Sequence, residues 1–530
     1  MLEEITRRRP YNAAVDFIDA NVARGLASKL AFIDPDRSIT YGDLQTRTFR
    51  FAHALHDLGV QHENRVALLM HDTIDYPVAF WGTIRSGAVA VPLNTYLTTQ
   101  QYAYILADCR ARILVVAASL AKAIQPAIGA LPHLKTIVLV GAVDGDLANI
   151  PGCKVQRFED VVAGVSEEPF TADTISDEVA FWLYTSGSTG EPKGVRHVHT
   201  SLMATAKLMG QGILGIQADD IVHSASKLFF AYGLGNAMTF PLSVGATAVL
   251  WPNRPSPDGV FEIMSKHNPT VFYAVPSLFA ALLARPEICK GVGSNRLRLC
   301  VSAGEALPAH VGERWRDVVG VDVLDGIGST ELLQTFLSNR PGDIRYGSTG
   351  KPVPGYDVRI VDDNGRDLGL DEIGELIVRG PSAGESYWNQ RAKSRRTFAG
   401  EWTYTGDKYR CDAEGYYYYC GRTDDMFKVS GMWVSPFDVE AALTSHEAVL
   451  EAAVIGKEDA DGLVKPKAFI VLKNGYTADE NLFEKLRLHV KEQAGAWKYP
   501  RWIELRPDLP RTATGKIQRF KLREQDHAGR

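Results

Sequence analysis

Apolar positions along the chain fall into short β-branched runs, separated by stretches where apolar residues recur every third or fourth place. Arg65–Met70, Ala88–Leu93, Ile113–Val116, Thr136–Val140 and Ala246–Leu250 are short, mainly apolar runs. They predict buried strands, since a strand covered on both faces need not alternate. Tyr41–Leu58 and Tyr76–Arg85 carry the helical spacing instead. Strands and helices in alternation predict an α/β architecture with mainly parallel sheets. After about residue 345 the pattern turns to glycine-punctuated runs, YGSTGKPVPGYDVRIVDDNG and then GELIVRG, which predict a compact β region. Further on, Val449–Ile455, Lys467–Leu472 and Trp502–Leu505 predict strands and Glu480–Gln493 a helix, an α+β unit with its own core. The polar segment GRTDDMFKVSGMWVSP before it reads as a linker or hinge. With a boundary near Arg422–Asp424, residues 1–422 form a large α/β body with a β region. Residues 423–530 form a small mobile α+β domain.

Composition narrows the class. With 530 residues, 45% hydrophobic and 23% charged, the chain is globular and multidomain. Lys plus Arg is 58 against 63 Asp plus Glu, a formal charge of −5, so the broad basic footprint of a nucleic-acid binder is missing. A local cationic pocket for a small anion remains open. The six cysteines are scattered, with no C-x-x-C and no zinc spacing, which reads as reduced thiols in a cytoplasmic protein. The start, MLEEITRRRPYNAAVDF, is too polar for a signal peptide. No uninterrupted apolar run reaches the ~18 residues of a membrane span.

The strongest local signal is Tyr184–Val195, YTSGSTGEPKGV, directly after the apolar run VAFWLY. Gly187, Gly190 and Gly194 stand among the hydroxyls of Thr185, Ser186, Ser188 and Thr189, with Lys193 nearby. Glycine lets backbone approach an anion, and hydroxyls with successive N–H groups wrap phosphate oxygens. The spacing is not that of a Walker A loop.

This run resembles the phosphate loop of the adenylate-forming enzymes, which include acyl- and aryl-CoA ligases, luciferases and peptide-synthetase adenylation domains. The other motifs of that superfamily follow in order. YGDL at Tyr41 resembles its early helix, and SAGEAL places Gly304, Glu305 and Ala306 where the family packs adenine. DGIGSTE resembles the motif whose backbone flanks adenine through Asp325, Gly326 and Ile327. There the resemblance implies that Thr330 meets the α-phosphate and Glu331 holds Mg²⁺. YTGD implies a ribose contact at Asp407, GRTDD a second at Arg422 with the hinge at Asp424, and PRTATGK the adenylating Lys516. The resemblance covers essentially the whole chain. It implies a carboxylate attacking the α-phosphorus of MgATP, then a thiol attacking the acyl-adenylate after the small domain rotates. Lys428, Ser430 and Gly431 would then face the pantetheine of CoA.

The residue types suit this chemistry on their own terms. A carboxylate such as Asp407 accepts from a cis-diol, and a hard oxygen such as Glu331 suits Mg²⁺ bridging phosphates. Lys193 and Lys516 can meet charge developing on the phosphates.

Within the family, SKLFFAYGLGN, GIGSTELLQTFLSNRPG and TDDMFKVSGMWVSPFDVE resemble the benzoate–CoA ligase group. That resemblance implies an aryl pocket lined by Phe230, Ala231, Tyr232, Gly233, Gly328, Gln334 and Thr335. Ala231 offers no counter-charge for an α-ammonium, which disfavours amino acids. Gln334-Thr335 departs from the group's His-Ile pair. Two buried polar groups want partners, so a ring bearing a hydroxyl or amino group, or a polar heteroaromatic acid, is expected. The expected partners are thus a small aromatic acid, ATP and CoA, with self-association as a homodimer left open. Loading a carrier protein in trans, ligating another small acid, and a non-catalytic nucleotide binder are the competing readings.

Overall fold

The structure is a computed structural model describing residues 4–528, except 5, 143–151, 186–190, 293, 430–431, 460–461 and 512–516. Two large sheets dominate the N-terminal body. One has eight strands and contains the predicted Arg65–Leu69, Val89–Pro92, Ile113–Ala117 and Thr136–Val140 side by side and parallel. The other has nine strands, with Ile221–Ser224, Thr247–Val249, Val271–Ala274, Leu299–Ser302 and Val323–Gly328 parallel at its centre.

Strand alternation explains how the sheets stack. In the first sheet Val66 and Leu68 point into one core while Ala67 and Leu69 point into another. In the second, Val271 and Tyr273 join that same first core while Phe272 and Ala274 face away. The shared core is filled by the helices Tyr41–Asp57 and Asp75–Arg85, the latter buried along its whole length. Even its Arg85 is buried, and it is neutralised by Asp19 at 2.8 Å. Helices Thr99–Cys109 and Ala118–Ile128 cover the far side of the first sheet, and Pro257–His267, Pro276–Leu283 and Ala309–Val319 that of the second.

The predicted β region is a five-stranded antiparallel sheet that includes Gly374–Arg379, Trp402–Cys411 and Tyr417–Arg422. The C-terminal unit is also as expected. Val449–Glu458, Val464–Leu472 and Trp502–Leu505 form a three-stranded sheet, and Glu480–Ala494 packs into its core. The linker expectation needs correcting. Gly421 and Arg422 end a strand, and Phe427–Val429 pairs with Met432–Val434 as a hairpin. Phe427, Val429 and Val434 lie at β spacing and pack on the C-terminal core, so only the turn at 423–425 joins the units. Among the described residues no helix is long and apolar enough to cross a membrane.

Candidate active site

Parallel strands carry ligands beyond their carboxyl ends, and the loops singled out by sequence follow such ends: 226–230 after Ile221–Ser224, 303–306 after Leu299–Ser302, 329–334 after Val323–Gly328. The glycine-hydroxyl loop leaves the strand Val179–Thr185 and returns as Lys193–Val198, with Thr185 opposite Lys193. Ser186, Gly187, Ser188, Thr189 and Gly190 lie outside the described residues.

Lys193 and Glu331 meet. Nζ of Lys193 is 3.8 Å from Oε1 of Glu331. The short strand Ser386–Tyr387 pairs with the strand carrying Lys193 and brings Tyr387 between them. The phenol donates to Oε1 of Glu331 at 2.6 Å, and the ring lies 4.1 Å from the Lys193 ammonium. Burial pulls the lysine's pKa below its ordinary value, with Glu331 opposing and Lys393 and Arg422 assisting. Burial and then the Glu331 charge push the Tyr387 phenol up, so it stays a donor. Nε2 of the buried His197 donates to the Thr330 carbonyl at 2.8 Å. Burial lowers that imidazole to about 4, which keeps it neutral. The Gly384 N–H holds the Glu331 carbonyl at 2.7 Å. The loop also contains Leu333 at φ 65, a left-handed conformation costly for a leucine, held by burial of its side chain.

The residues expected around the nucleotide lie on the following loops and strands. Gly304 is exposed at φ 93, a turn a side chain would strain, with Glu305 and Ala306 half-buried after it. Asp325 pairs in register with Ser302, and Gly326 and Ile327 continue its strand opposite Ser338 and Leu337. Burial drives the Asp325 carboxyl well up. Its Oδ1 has no hydrogen-bond partner among the described residues. Asp407 lies opposite Arg422 across two strands, and the guanidinium donates to Oδ1 at 3.0 Å. The charge of Arg422 is felt at Lys193 and that of Glu331 at Arg422, so these groups share one electrostatic centre.

The proposed aryl lining is a wall of backbone and rings. Phe230, Ala231 and Tyr232 are half-buried at the start of the helix Ala231–Leu234, which runs into a π-helical turn, Gly235–Thr239. The Tyr232 hydroxyl donates to the Val301 carbonyl at 3.0 Å. A Cβ on Gly233 would stand 2.0 Å from the Lys227 carbonyl, and one on Gly328 2.6 Å from that of Gln334. Gln334 and Thr335 are both buried. The protein itself supplies polar partners for both. Nε2 of Gln334 donates to the carbonyls of Ala231 (3.4 Å) and Tyr232 (3.2 Å). Its Oε1 accepts the Thr335 N–H at 2.9 Å and hydroxyl at 3.0 Å. The pair is thus satisfied by itself and the helix start, so a polar substituent on the ring is not required by it.

Asp424 is exposed in the turn at 423–425. On one side Thr423 N–H donates to the Gly406 carbonyl at 2.9 Å. On the other, Asp425 is held by Arg523 (2.8 Å) and Arg519 (3.6 Å) of the helix Arg519–Ala528. Lys428 is exposed on the hairpin strand Phe427–Val429. Ser430, Gly431 and Lys516 lie outside the described residues. Sequence reasoning missed Tyr387 and His197, and took Asp425 only as part of the GRTDD run. Tyr387 carried a signal in its place in the short run GESYWN ahead of a basic helix.

A family model described as AMP-binding enzyme matches residues 19–388, and one described as AMP-binding enzyme C-terminal domain matches 438–516. The chain is 52% identical over 522 residues to a 4-hydroxybenzoate–CoA/benzoate–CoA ligase of Rhodopseudomonas palustris, covering 98% of this chain and 95% of that protein. It is also 52% identical to a benzoate–CoA ligase of Thauera aromatica, covering 97% and 96%. Among solved structures it resembles an anthranilate CoA ligase in complex with anthranoyl-AMP, with TM-score 0.93, 43% identity and 98% of both chains covered.

Proposed function

The chain belongs to the AMP-binding enzymes, in the benzoate–CoA ligase group of the adenylate-forming superfamily, and from that premise we propose how its residues divide the work. It is an ATP-dependent acid–thiol ligase that joins an aromatic acid to CoA, releasing AMP and pyrophosphate. In the first half-reaction an acid oxygen bonds to the α-phosphorus as the bond to pyrophosphate breaks. In the second a CoA sulfur bonds to the acyl carbon, AMP leaves with the bonding electrons, and the thiol proton is lost.

Lys193 and the loop between Thr185 and Lys193 meet the departing phosphates, where a fixed cation in a half-buried site is worth more than in water. Thr330, its carbonyl held by His197, faces the α-phosphate. Asp407, aligned by Arg422, takes the ribose hydroxyls, with the turn 304–306 and the strand residues 325–327 around adenine. Lys516 supplies the second cation of adenylation. Mg²⁺ fits Glu331: one hard carboxylate, with Tyr387 occupying Oε1, matches an ion that keeps few protein ligands and takes the rest from substrate phosphates. When bound, it neutralises charge on the phosphate oxygens.

The acid is benzoate or a benzoate with small substituents. The observation that carries this is the self-satisfied Gln334–Thr335 pair behind a lining of Ala231, Gly233 and the Tyr232 ring. A flat apolar ring loses nothing there, and a charged side group finds no counter-ion. The test is pyrophosphate exchange with MgATP and no CoA, across benzoate, its hydroxy and amino forms, cyclohexanecarboxylate and hexanoate, followed by thioester formation with free CoA. Exchange with benzoate at least equal to every substituted form is expected. A substituted acid preferred by more than about tenfold overturns the reading of the Gln334–Thr335 pair, and exchange with hexanoate alone overturns the acid assignment. Adenylation with no transfer to CoA overturns the choice of acceptor.

A further inference from the structure

Residues 226–230 join the strand Ile221–Ser224 to the helix Ala231–Leu234 without regular structure, yet Lys227, Leu228 and Phe229 are buried. Buried irregular backbone must find partners for its N–H groups. For Leu228 that partner comes from 156 positions away in sequence: both carboxylate oxygens of Asp72 accept its N–H, at 3.3 and 3.2 Å. Asp72 follows the strand Arg65–Leu69, so the bond ties the loop ends of the two large sheets together. The other charge in the loop, the buried Lys227, donates to the carbonyls of Trp251 and of Asn253 (2.6 Å).

We propose that Asp72 is a positioning residue for the acid site, holding Leu228 and thereby the Phe229–Phe230 corner and the first turn of the helix behind it. The inference rests on the reading that Phe230–Gly233 line the acid pocket. The chain of contacts is short. Phe230 N–H returns to the Lys227 carbonyl at 3.0 Å, and Leu234 N–H to the Phe230 carbonyl at 2.8 Å. Gly233 rests on the Lys227 carbonyl so closely that a Cβ would stand 2.0 Å away. A shift of Leu228 is therefore passed to Ala231, Tyr232 and Gly233.

The neighbouring contacts are rings. Phe229 meets Tyr96 edge-on at 5.9 Å and Phe230 at 4.4 Å. Ring contacts tolerate sliding, whereas a hydrogen bond to a carboxylate fixes register. Asp72 and Lys227 each feel the other's charge, and burial opposes both, raising the carboxyl to about 6 and lowering the ammonium. His71, Tyr76, Tyr96 and, beyond Tyr96, Arg254 complete the polar surroundings. The carboxylate's direct partner is the Leu228 N–H, so what it adds here is geometry.

Full-length Asp72→Ala and Asp72→Asn are compared by pyrophosphate exchange, with thermal midpoint confirming folding and amide hydrogen exchange read over 226–233. Asp72→Ala is expected to raise the KM for benzoate by on the order of tenfold or more, to leave the KM for ATP within about twofold, and to speed exchange at Leu228. Asp72→Asn keeps an acceptor and should recover most of the loss. If Asp72→Ala does not fold, Lys227→Met carries the same expectation for the two KM values. A folded variant with unchanged benzoate KM, or with both KM values raised equally, overturns the inference. Ala231→Leu is the control that fills the pocket: if it leaves benzoate KM unmoved, the pocket reading fails and the inference falls with it.

Discussion

At the scale of single residues, Tyr387 is the side chain that orders the proposed phosphate end of the site. Its phenol holds one oxygen of Glu331 at 2.6 Å while its ring faces the Lys193 ammonium at 4.1 Å. Without it, the carboxylate at 3.8 Å can close on the lysine and compete with phosphate for it. Tyr387→Phe removes the hydrogen bond and keeps the ring. With about 1.5–3 kcal/mol for a bond to a charged group, the KM for MgATP should rise by about tenfold or more. Half-saturation should also need more Mg²⁺, while the KM for the acid stays in place. Tyr387→Leu should lose a further ~0.5–2 kcal/mol as the cation–π contact goes. Initial-rate pyrophosphate exchange at varied MgATP and free Mg²⁺ checks both; equal effects of the two changes would remove the ring from the argument. Lys193, Glu331 and Asp407 were legible beforehand because each sits in a run of glycines and hydroxyls with few structural uses. Tyr387 was marked only by the short run GESYWN, and His197 and Asp72 not at all, because each acts across sheets and a lone imidazole or carboxylate has no local pattern to mark it.

At the scale of elements, periodicity located four parallel strands of the eight-stranded sheet, Thr247–Val249 alone at the centre of the nine-stranded one, and the C-terminal α+β unit, because burial on one or two faces writes itself directly into spacing. It did not locate the hairpin Phe427–Val429/Met432–Val434, whose strands are too short to show a period. Nor did it show the π-helical turn Gly235–Thr239 behind the acid site, since one extra residue in a helical turn leaves composition unchanged. That turn sets Gly235 against Gln334: a Cβ there would lie 2.1 Å from Nε2. Gly235→Ala must therefore displace an amide that donates to Ala231 and Tyr232 and accepts from Thr335. The expected result is about 1–3 kcal/mol of lost stability with a raised KM for the acid and an unchanged KM for ATP. Gly129→Ala is the comparison, with nothing within 4 Å of its Cβ and an ordinary helical backbone. Urea midpoints and acid titrations of the two variants decide it. Equal, small effects in both would mean that Gln334 moves freely and that the lining does not depend on it.

At the scale of the whole molecule, the two units are joined by the turn at 423–425, across which the Asp425 and Met426 N–H groups donate to the Arg422 carbonyl, each at 3.0 Å. Thr423 is bonded to Gly406 in the large body, and Asp425 is gripped by Arg519 and Arg523 of the small domain. Arg519 is itself anchored to Glu440 at 2.6 Å. Asp424 between them is exposed, and a hinge needs only a few positions to absorb the change in φ and ψ. The proposed chemistry explains why such a joint is useful. Adenylation calls for a cation at the α-phosphate, and thioester formation calls for an open path for a thiol to the same carbonyl. One arrangement serves one of these badly. Asp424→Pro fixes φ at the joint and confines the residue before it. Adenylate formation, which comes first, should survive within a few-fold. Transfer to CoA, which the family resemblance places after a rotation of the C-terminal unit, should fall on the order of a hundredfold, the scale at which misplaced reactants fail. Single-turnover measurement separates the steps: adenylate formed from labelled benzoate and ATP, then its decay on adding CoA. Equal loss of both would mean that the turn at 423–425 serves as a fixed connection, and the two half-reactions would then share one arrangement of the domains.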